Sequence, residues 1–271
     1  SLRFTGDVFF DVQSPYQRVR ILESTKYGKM LALDDMVMTT IKDEFHYHEM
    51  ISHPGLFALP HAKNVLVIGG GDGGTVREVL RHSNIEKVTM VEIDGEVIKA
   101  CKEHLPEIAA SFDDPRLELI VDDGIAFVKN APDAVYDLLI VDGSDPVGPA
   151  EGLFSVDFYQ NCYRTLKADG ILVAQGESPK FNEKAFAELN STLQQIFGQD
   201  NAPVGLFFVP TYPTGMWSFQ YGIKGSADPR KVTNLEAIKA FVADNHLRYY
   251  NEEIHFSTFA LPNFVKQLIQ K

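Results

Sequence analysis

The run Val65-Leu66-Val67-Ile68, passing directly into Gly69-Gly70-Gly71-Asp72-Gly73-Gly74 and then a helical stretch from Thr75 to His82, restricts the fold more than any other part of the chain. Four consecutive apolar residues without alternation predict a strand buried on both faces, the habit of parallel sheets covered by helices. The glycines predict a tight strand-to-helix turn whose backbone can approach a ligand. The same grammar recurs downstream. Buried strands are expected at Val88 to Ile93, Leu117 to Val121, Tyr136 to Val141 and Ile171 to Ala174, with helical stretches between them. The expectation is an α/β fold built on a doubly wound parallel sheet.

The chain before this run reads differently. Short β-rich segments at Val8 to Phe10, Gln17 to Leu22, Met30 to Leu33 and Met36 to Thr40 are separated by the turn residues Tyr27-Gly28-Lys29 and Asp34-Asp35. A small antiparallel β domain follows from that spacing. From Asp43 to Leu59 the pattern turns helical, with Asp43 as the cap and a helix that joins the two parts. Near the end, Val204 to Pro210 and Met216 to Ile223 flank Thr211-Tyr212-Pro213-Thr214-Gly215 and predict an antiparallel pair at the sheet edge. The 271 residues suit one large α/β domain with a small appendage. The expected division is 1–58, β-rich with its linking helix, and 59–271, catalytic.

A formal charge of −12 argues against a phosphate-binding surface and hence against nucleic acid. It permits a cationic ligand without requiring one. Only Cys101 and Cys162 are present, which is too few for a disulfide framework and fits a reducing compartment. No apolar run reaches the roughly 18 residues of a membrane span. The start, Ser1-Leu2-Arg3-Phe4, has neither an initiator Met nor the apolar core of a signal peptide. A cytoplasmic enzyme whose numbering starts after a trimmed or absent segment is expected, with no membrane partner.

Ligands of open α/β sheets bind at the carboxyl ends of the strands. Gly69-x-Gly71-x-x-Gly74 sits at such an end, and Glu92 closes the next strand, where a carboxylate can accept both hydrogen bonds of a ribose diol. Asp123 and Gly124 follow the third strand. Asp72 puts negative charge where a dinucleotide would carry its pyrophosphate, so a nicotinamide cofactor is disfavoured and an adenosine bearing a sulfonium cation suits the loop better. The strand from Tyr136 to Val141 ends in Asp142, and Asp145 follows three residues later in a turn closed by Pro146, Gly148 and Pro149. Two convergent carboxylates suit an amine, although such a turn can also bond only its own backbone.

The runs Asp43-Glu44-Phe45-His46-Tyr47-His48-Glu49-Met50, Gly69 to Gly74, Val91-Glu92-Ile93-Asp94, Asp122-Asp123-Gly124, Asp142 to Pro149 and Pro210 to Gly215 together resemble the spermidine synthases, the polyamine aminopropyltransferases. The resemblance extends from about Gln17 to Ala260-Leu261-Pro262. It implies a Rossmann-like, methyltransferase-type sheet and transfer of an aminopropyl group from decarboxylated S-adenosylmethionine to putrescine, giving spermidine and 5′-methylthioadenosine. It implies Asp142 as general base and Asp142 with Asp145 as holders of the diamine. Gln17, Gly69, Asp72, Glu92, Asp123, Gly124 and Pro149 would take the donor, while Tyr47, His48, Asp72, Gln175 and Tyr212 line the amine side. No prosthetic group or metal is implied, and a homodimer or homotetramer formed through the β-rich first domain is. Two positions depart from the common family pattern: Gly143, where Ser or Cys is frequent, and Lys180, where an aromatic often follows Gln175-Gly176-Glu177. Lys180 bears on the acceptor end of the pocket.

Three other readings compete. His48-Glu49-x-x-x-His53 invites a metal site, but the spacing is one residue longer than H-E-x-x-H and puts the imidazoles on different helix faces. An S-adenosylmethionine-dependent amine N-methyltransferase shares this sheet, yet its donor's carboxylate would meet Asp72 and Asp142. A non-catalytic polyamine or nucleoside sensor would bind without turnover. Agmatine, cadaverine and spermidine stand beside putrescine as acceptors, and Phe207, Phe208, Trp217 and Phe219 read as core rather than as pocket lining.

Overall fold

The computed structural model describes residues 6–144 and 152–270, so Asp145 and Pro149 lie outside the described residues. Two sheets organise it. The first is a meander of β1 (Val8–Gln13), β2 (Arg18–Ser24), β3 (Gly28–Leu33) and β4 (Met36–Thr40) in that order, all antiparallel. Its alternation has a consequence for packing. Val19, Ile21 and Leu31 point into the main core, while Leu22, Met30 and Ala32 form a separate small cluster with Val37.

The second sheet contains β5 (Asn64–Gly69), β6 (Lys87–Glu92), β7 (Leu117–Val121), β8 (Tyr136–Asp142), β9 (Leu166–Gln175), β10 (Val204–Phe208) and β11 (Met216–Ile223), in the order β10-β11-β9-β8-β5-β6-β7. The five strands from β7 to β9 are parallel, and β11 and β10 add an antiparallel edge pair. Helices cover both faces because both faces are apolar. Val65, Val67, Val88, Met90, Leu138 and Ile140 face one core, and Leu66, Ile68, Val91, Leu139 and Val141 face the other. Against the first lie α1 (Glu44–Ala58), α2 (Gly74–Leu80) and α3 (Gly95–His104). Against the second lie α4 (Gly124–Asn130), α5 (Val156–Thr165) and α6 (Glu183–Phe197), and α7 (Leu235–Asn245), α8 (Glu252–Ser257) and α9 (Asn263–Ile269) complete the chain. This is a Rossmann-like arrangement.

Two expectations change in detail. Strand β9 begins five residues earlier than Ile171, because Leu166 pairs with Tyr136 before a bulge puts 167–170 opposite Asp137 alone. The α1 helix is less a link than a core element: nearly every side chain from Tyr47 to Leu56 is buried. Gly55 lets it settle on the sheet, since a Cβ there would lie 3.2 Å from Leu138. Asp43 stands at its N-cap position but makes no side-chain cap bond. Its carboxylate accepts instead from Thr40 Oγ1 at 2.6 Å and from the Thr211 amide and hydroxyl at 3.1 and 2.7 Å, tying the helix start to the turn after β10.

Strand order reverses between β5 and β8, and the crevice outside their carboxyl ends is where such sheets bind ligands. Gly69 and Gly70, at φ 83° and 73°, take the chain out of β5 in the left-handed region, and the Gly70 amide donates to the Asp142 carbonyl at 3.0 Å. A Cβ on Gly69 would lie 2.2 Å from that carbonyl oxygen, so the close approach of loop to strand end requires glycine.

Candidate active site

A cavity of about 490 Å³ opens at this reversal. That is ample for a nucleoside with a short arm. Gly69, Asp72, Glu92, Asp123, Gly124, Asp142 and Gln175 reach it from the large sheet, Tyr47 and His48 from α1, Gln17 from the segment before β2, and Tyr212 from the turn after β10. Thus every predicted site residue inside the described range lines one cavity. The first sheet closes a wall with Leu31, Leu33, Val37 and Met38.

Asp142 is the centre of its polar contacts. Tyr47 Oη donates to Oδ1 at 2.6 Å and Thr75 Oγ1 donates to Oδ2 at 2.6 Å. Burial raises the proton affinity of this carboxyl above the ordinary aspartate range, and the Asp72 charge adds to it, while His48, Thr75 and Tyr47 pull the other way. Burial likewise holds the Tyr47 hydroxyl well above its usual pKa, with Asp142 reinforcing it, so Tyr47 is a donor and not a base.

Asp72 accepts the Gly74 amide on Oδ1 at 2.8 Å and meets His48 Nε2 through Oδ2 at 3.2 Å. The other imidazole nitrogen of His48 lies 2.5 Å from Glu44 Oε2. His48 lines the cavity with both ring nitrogens on carboxylates and is 2% exposed, so its polar contacts run to Asp72 and Glu44. Gly74 makes the arrangement possible, because a Cβ there would sit 2.2 Å from the imidazole.

At the end of β6, Glu92 accepts the Asp94 amide on Oε1 at 2.9 Å. Burial lifts its pKa to about 7, opposed by backbone hydrogen bonds from Asp94 and Gly71 and aided by the Asp94 and Asp142 charges. Gln17 is held by Asp94, whose Oδ2 accepts from Gln17 Nε2 at 3.0 Å and Ser14 Oγ at 2.7 Å, joining the first sheet to the second. Asp123 caps α4 through the Ile125 amide at 2.8 Å.

On the opposite wall, Gln175 is clasped by Glu177, accepting its amide at 2.6 Å. The Tyr212 hydroxyl donates to the Met38 carbonyl at 2.7 Å, so its proton serves the first sheet rather than Asp142. Phe207, Trp217 and Phe219 are buried as expected, although Trp217 also lines the cavity, and Phe208 is 51% exposed. Lys180 pairs with Glu183 at 3.3 Å outside the cavity, and the neighbouring Phe181 lines it instead.

His48 and His53 take different partners: His53 contacts His82 at 3.1 Å and Glu78 at 3.2 Å, whereas His48 contacts Glu44 and Asp72. Among the described residues no group of three or more His, Cys, Asp or Glu side chains converges as metal ligands, and no helix is long and apolar enough to cross a membrane. Thr75, Glu44, Arg77 and Asp94 shape the site but were not among the expected site residues, although Glu44 and Asp94 stand in the runs that carry the resemblance. Glu44 left a further signal, its i,i+4 spacing to His48.

Residues 44–231 match the spermine/spermidine synthase domain, and residues 6–40 match the spermidine synthase tetramerisation domain. Over 258 residues, 95% of this chain and 88% of the relative, the chain is 47% identical to the polyamine aminopropyltransferase of Moorella thermoacetica. It is 45% identical to that of Clostridioides difficile over 267 residues, 97% and 92% of the two chains. Among solved structures, a spermidine synthase in complex with the transition state analogue AdoDATO superposes with a TM-score of 0.93 at 42% identity, covering 97% of this chain and 88% of that one. The spermidine synthase from Thermotoga maritima gives 0.91 at 42% identity, covering 97% and 87%.

Proposed function

Since the chain belongs to the spermine/spermidine synthase family, the polyamine aminopropyltransferases, we propose that it moves the aminopropyl group of decarboxylated S-adenosylmethionine to putrescine, with Asp142 as general base. The observation that carries this reading is the Asp142 carboxylate, oriented through both oxygens by Tyr47 and Thr75 and raised in proton affinity by burial.

A primary amine has a pKa of about 10.4, so at pH 7 roughly one molecule in 10³ has a free lone pair. Asp142 takes the proton from the attacking nitrogen as it bonds to the carbon beside the sulfonium. The carbon–sulfur bond breaks with its electron pair going to sulfur, which leaves neutral 5′-methylthioadenosine. One displacement suffices, without a covalent enzyme intermediate, prosthetic group or metal step. Asp72 holds the ammonium of the aminopropyl arm, and Glu92, Gln17, Asp123, Gly124 and Pro149 take the nucleoside. The family resemblance assigns the distal ammonium of the diamine to Asp145, and Gln175 and Tyr212 wall the amine side of the cavity. Acidic groups on both sides of the cavity support a donor that has lost its carboxylate over intact S-adenosylmethionine.

The working form is a homodimer or homotetramer assembled through the first domain, 1–58, with catalysis in 59–271. The match of residues 6–40 to a tetramerisation domain supports this, as do Val8, Phe9 and Met36, which are 55%, 39% and 41% exposed on the first sheet. The buried free thiols of Cys101 and Cys162 fit a cytoplasmic setting.

The test incubates the protein with decarboxylated or intact S-adenosylmethionine and, separately, putrescine, cadaverine, agmatine and spermidine, and identifies products by mass. Spermidine with methylthioadenosine is expected from the first donor and putrescine. Methylated amine from the intact donor, with no aminopropyl product from the other, overturns the reading.

A further inference from the structure

Side chains from α1, α2 and the glycine loop form an unbroken chain of charges that ends at the cavity wall. Asp72 Oδ2 meets His48 Nε2 at 3.2 Å, and His48 Nδ1 meets Glu44 Oε2 at 2.5 Å. The same Glu44 oxygen accepts from Arg77 Nη2 at 2.7 Å, and Arg77 Nε donates to Glu78 at 2.8 Å. The side chains of His48, Glu44, Asp72 and Arg77 are only 3%, 9%, 12% and 13% exposed. Groups so withdrawn from water hold their charges only when paired and hydrogen-bonded.

We propose that Glu44 is a positioning residue for the aminopropyl arm: acting through His48, it fixes the Asp72 carboxylate at the cavity wall, and Arg77 anchors Glu44. This rests on the aminopropyl-transfer reading above. Asp72 has one oxygen on the Gly74 amide and the other on His48, so its orientation depends on the imidazole staying in place as a donor. Burial by itself depresses the imidazole's proton affinity, but the Asp72 charge and the hydrogen bonds to Asp72 and Glu44 outweigh it and lift His48 to about 10. Burial alone would also raise Glu44, yet His48 and Arg77 hold it near 2. Across the neutral range His48 is therefore an imidazolium paired with the Glu44 carboxylate. The charged and titratable groups around His48 are Glu44 and Tyr47 on α1, Asp72 on the loop, Asp142 at the end of β8, and Arg77 on α2 through Glu44.

Removing the Glu44 charge leaves His48 with Asp72 as its one anionic hydrogen-bond partner and Arg77 as a nearby cation, so its proton is lost at lower pH. A neutral imidazole is the weaker donor, and Asp72 is then held less firmly. The experiment compares wild type with Glu44→Gln in two ways. NMR of ¹⁵N-histidine-labelled protein is expected to show His48 doubly protonated at pH 8 in wild type and titrating at least two units lower in the variant. Steady-state kinetics at saturating putrescine should show the ratio of variant to wild-type donor KM rising about tenfold with pH as His48 loses its proton, with kcat far less affected. Taking the ratio cancels the titration of Glu92, which both enzymes share. A ratio that stays constant with pH, or a His48 that is neutral at pH 8 in wild type, overturns the proposal. If circular dichroism shows that Glu44→Gln does not fold, the wild-type NMR titration decides. A wild type that forms no aminopropyl product sinks the functional reading instead, and the NMR comparison still judges the bridge.

Discussion

The Tyr47 hydroxyl lies 2.6 Å from Oδ1 of Asp142, although 95 positions of sequence separate them. One end of the pair belongs to a helix buried against the sheet and the other to the end of a central strand, so the contact depends on how α1 seats on β8 and β9. A donor on a carboxylate favours its ionised form.

Replacing Tyr47 with Phe removes that donor while keeping the ring against Phe207 and Phe219. The Asp142 pKa, already raised, rises further, so the base is lost to protonation at a higher pH than in wild type. We expect kcat at pH 7 to fall by roughly ten- to a hundredfold, in line with about 1.5–3 kcal/mol for a hydrogen bond to a charged group. The low-pH limb of kcat should move upward in pH, and an unmoved limb would separate Tyr47 from the base.

Asp142→Asn preserves the size of the side chain and cannot accept a proton. A fall in kcat of about 10²–10⁴ is expected, measured at saturating donor and putrescine. Added to this variant, Tyr47→Phe should cost little more, because the two residues act as one unit. Near-normal turnover by Asp142→Asn would show that the proton goes elsewhere.

Glu92 couples stability to pH. Its carboxyl sits at about 7 in the fold against 4.5 as the reference value, so the folded state keeps the proton longer. Its contribution is full below 4.5 and is lost as pH rises through 7, at a cost of ~3 kcal/mol above that range. Glu92→Gln should therefore raise Tm relative to wild type at pH 8 to 9 and not at pH 4. The same change should raise the donor KM, since a ribose diol needs an acceptor on each oxygen. Tm against pH and donor KM check the two halves separately.

Asp43→Ala removes a carboxylate that is 3% exposed and accepts three hydrogen bonds, two of them from Thr211. A loss of about 2–3 kcal/mol in denaturant unfolding is expected. Because Thr211 adjoins Tyr212 in the turn that walls the cavity, the putrescine KM should rise more than the donor KM. Equal changes in both would assign Asp43 to stability alone.

What could be read directly from the chain was local. Uninterrupted apolar runs announced strands covered on both faces, the glycine loop announced its turn, and the strand-end acids Glu92, Asp123 and Asp142 were placed by the rule that such sheets bind at their carboxyl ends. Each of these inferences needs only a handful of adjacent residues. The β9 bulge escaped because Leu166 reads as helix until its partner Tyr136 is known.

By itself, therefore, the sequence determined the order of elements, the sheet with its glycine loop, and the acids that meet at its reversal. Tertiary structure alone decided what those acids touch: Tyr47 and Thr75 on Asp142, both imidazole nitrogens of His48 on carboxylates, Asp43 on Thr211 instead of on its own helix, and Phe181 rather than Lys180 in the cavity. The physical reason is range. Backbone pattern is set by neighbours a few positions away, whereas a buried charge takes the nearest partner in space, and several of these partners lie on other elements, up to 168 positions away.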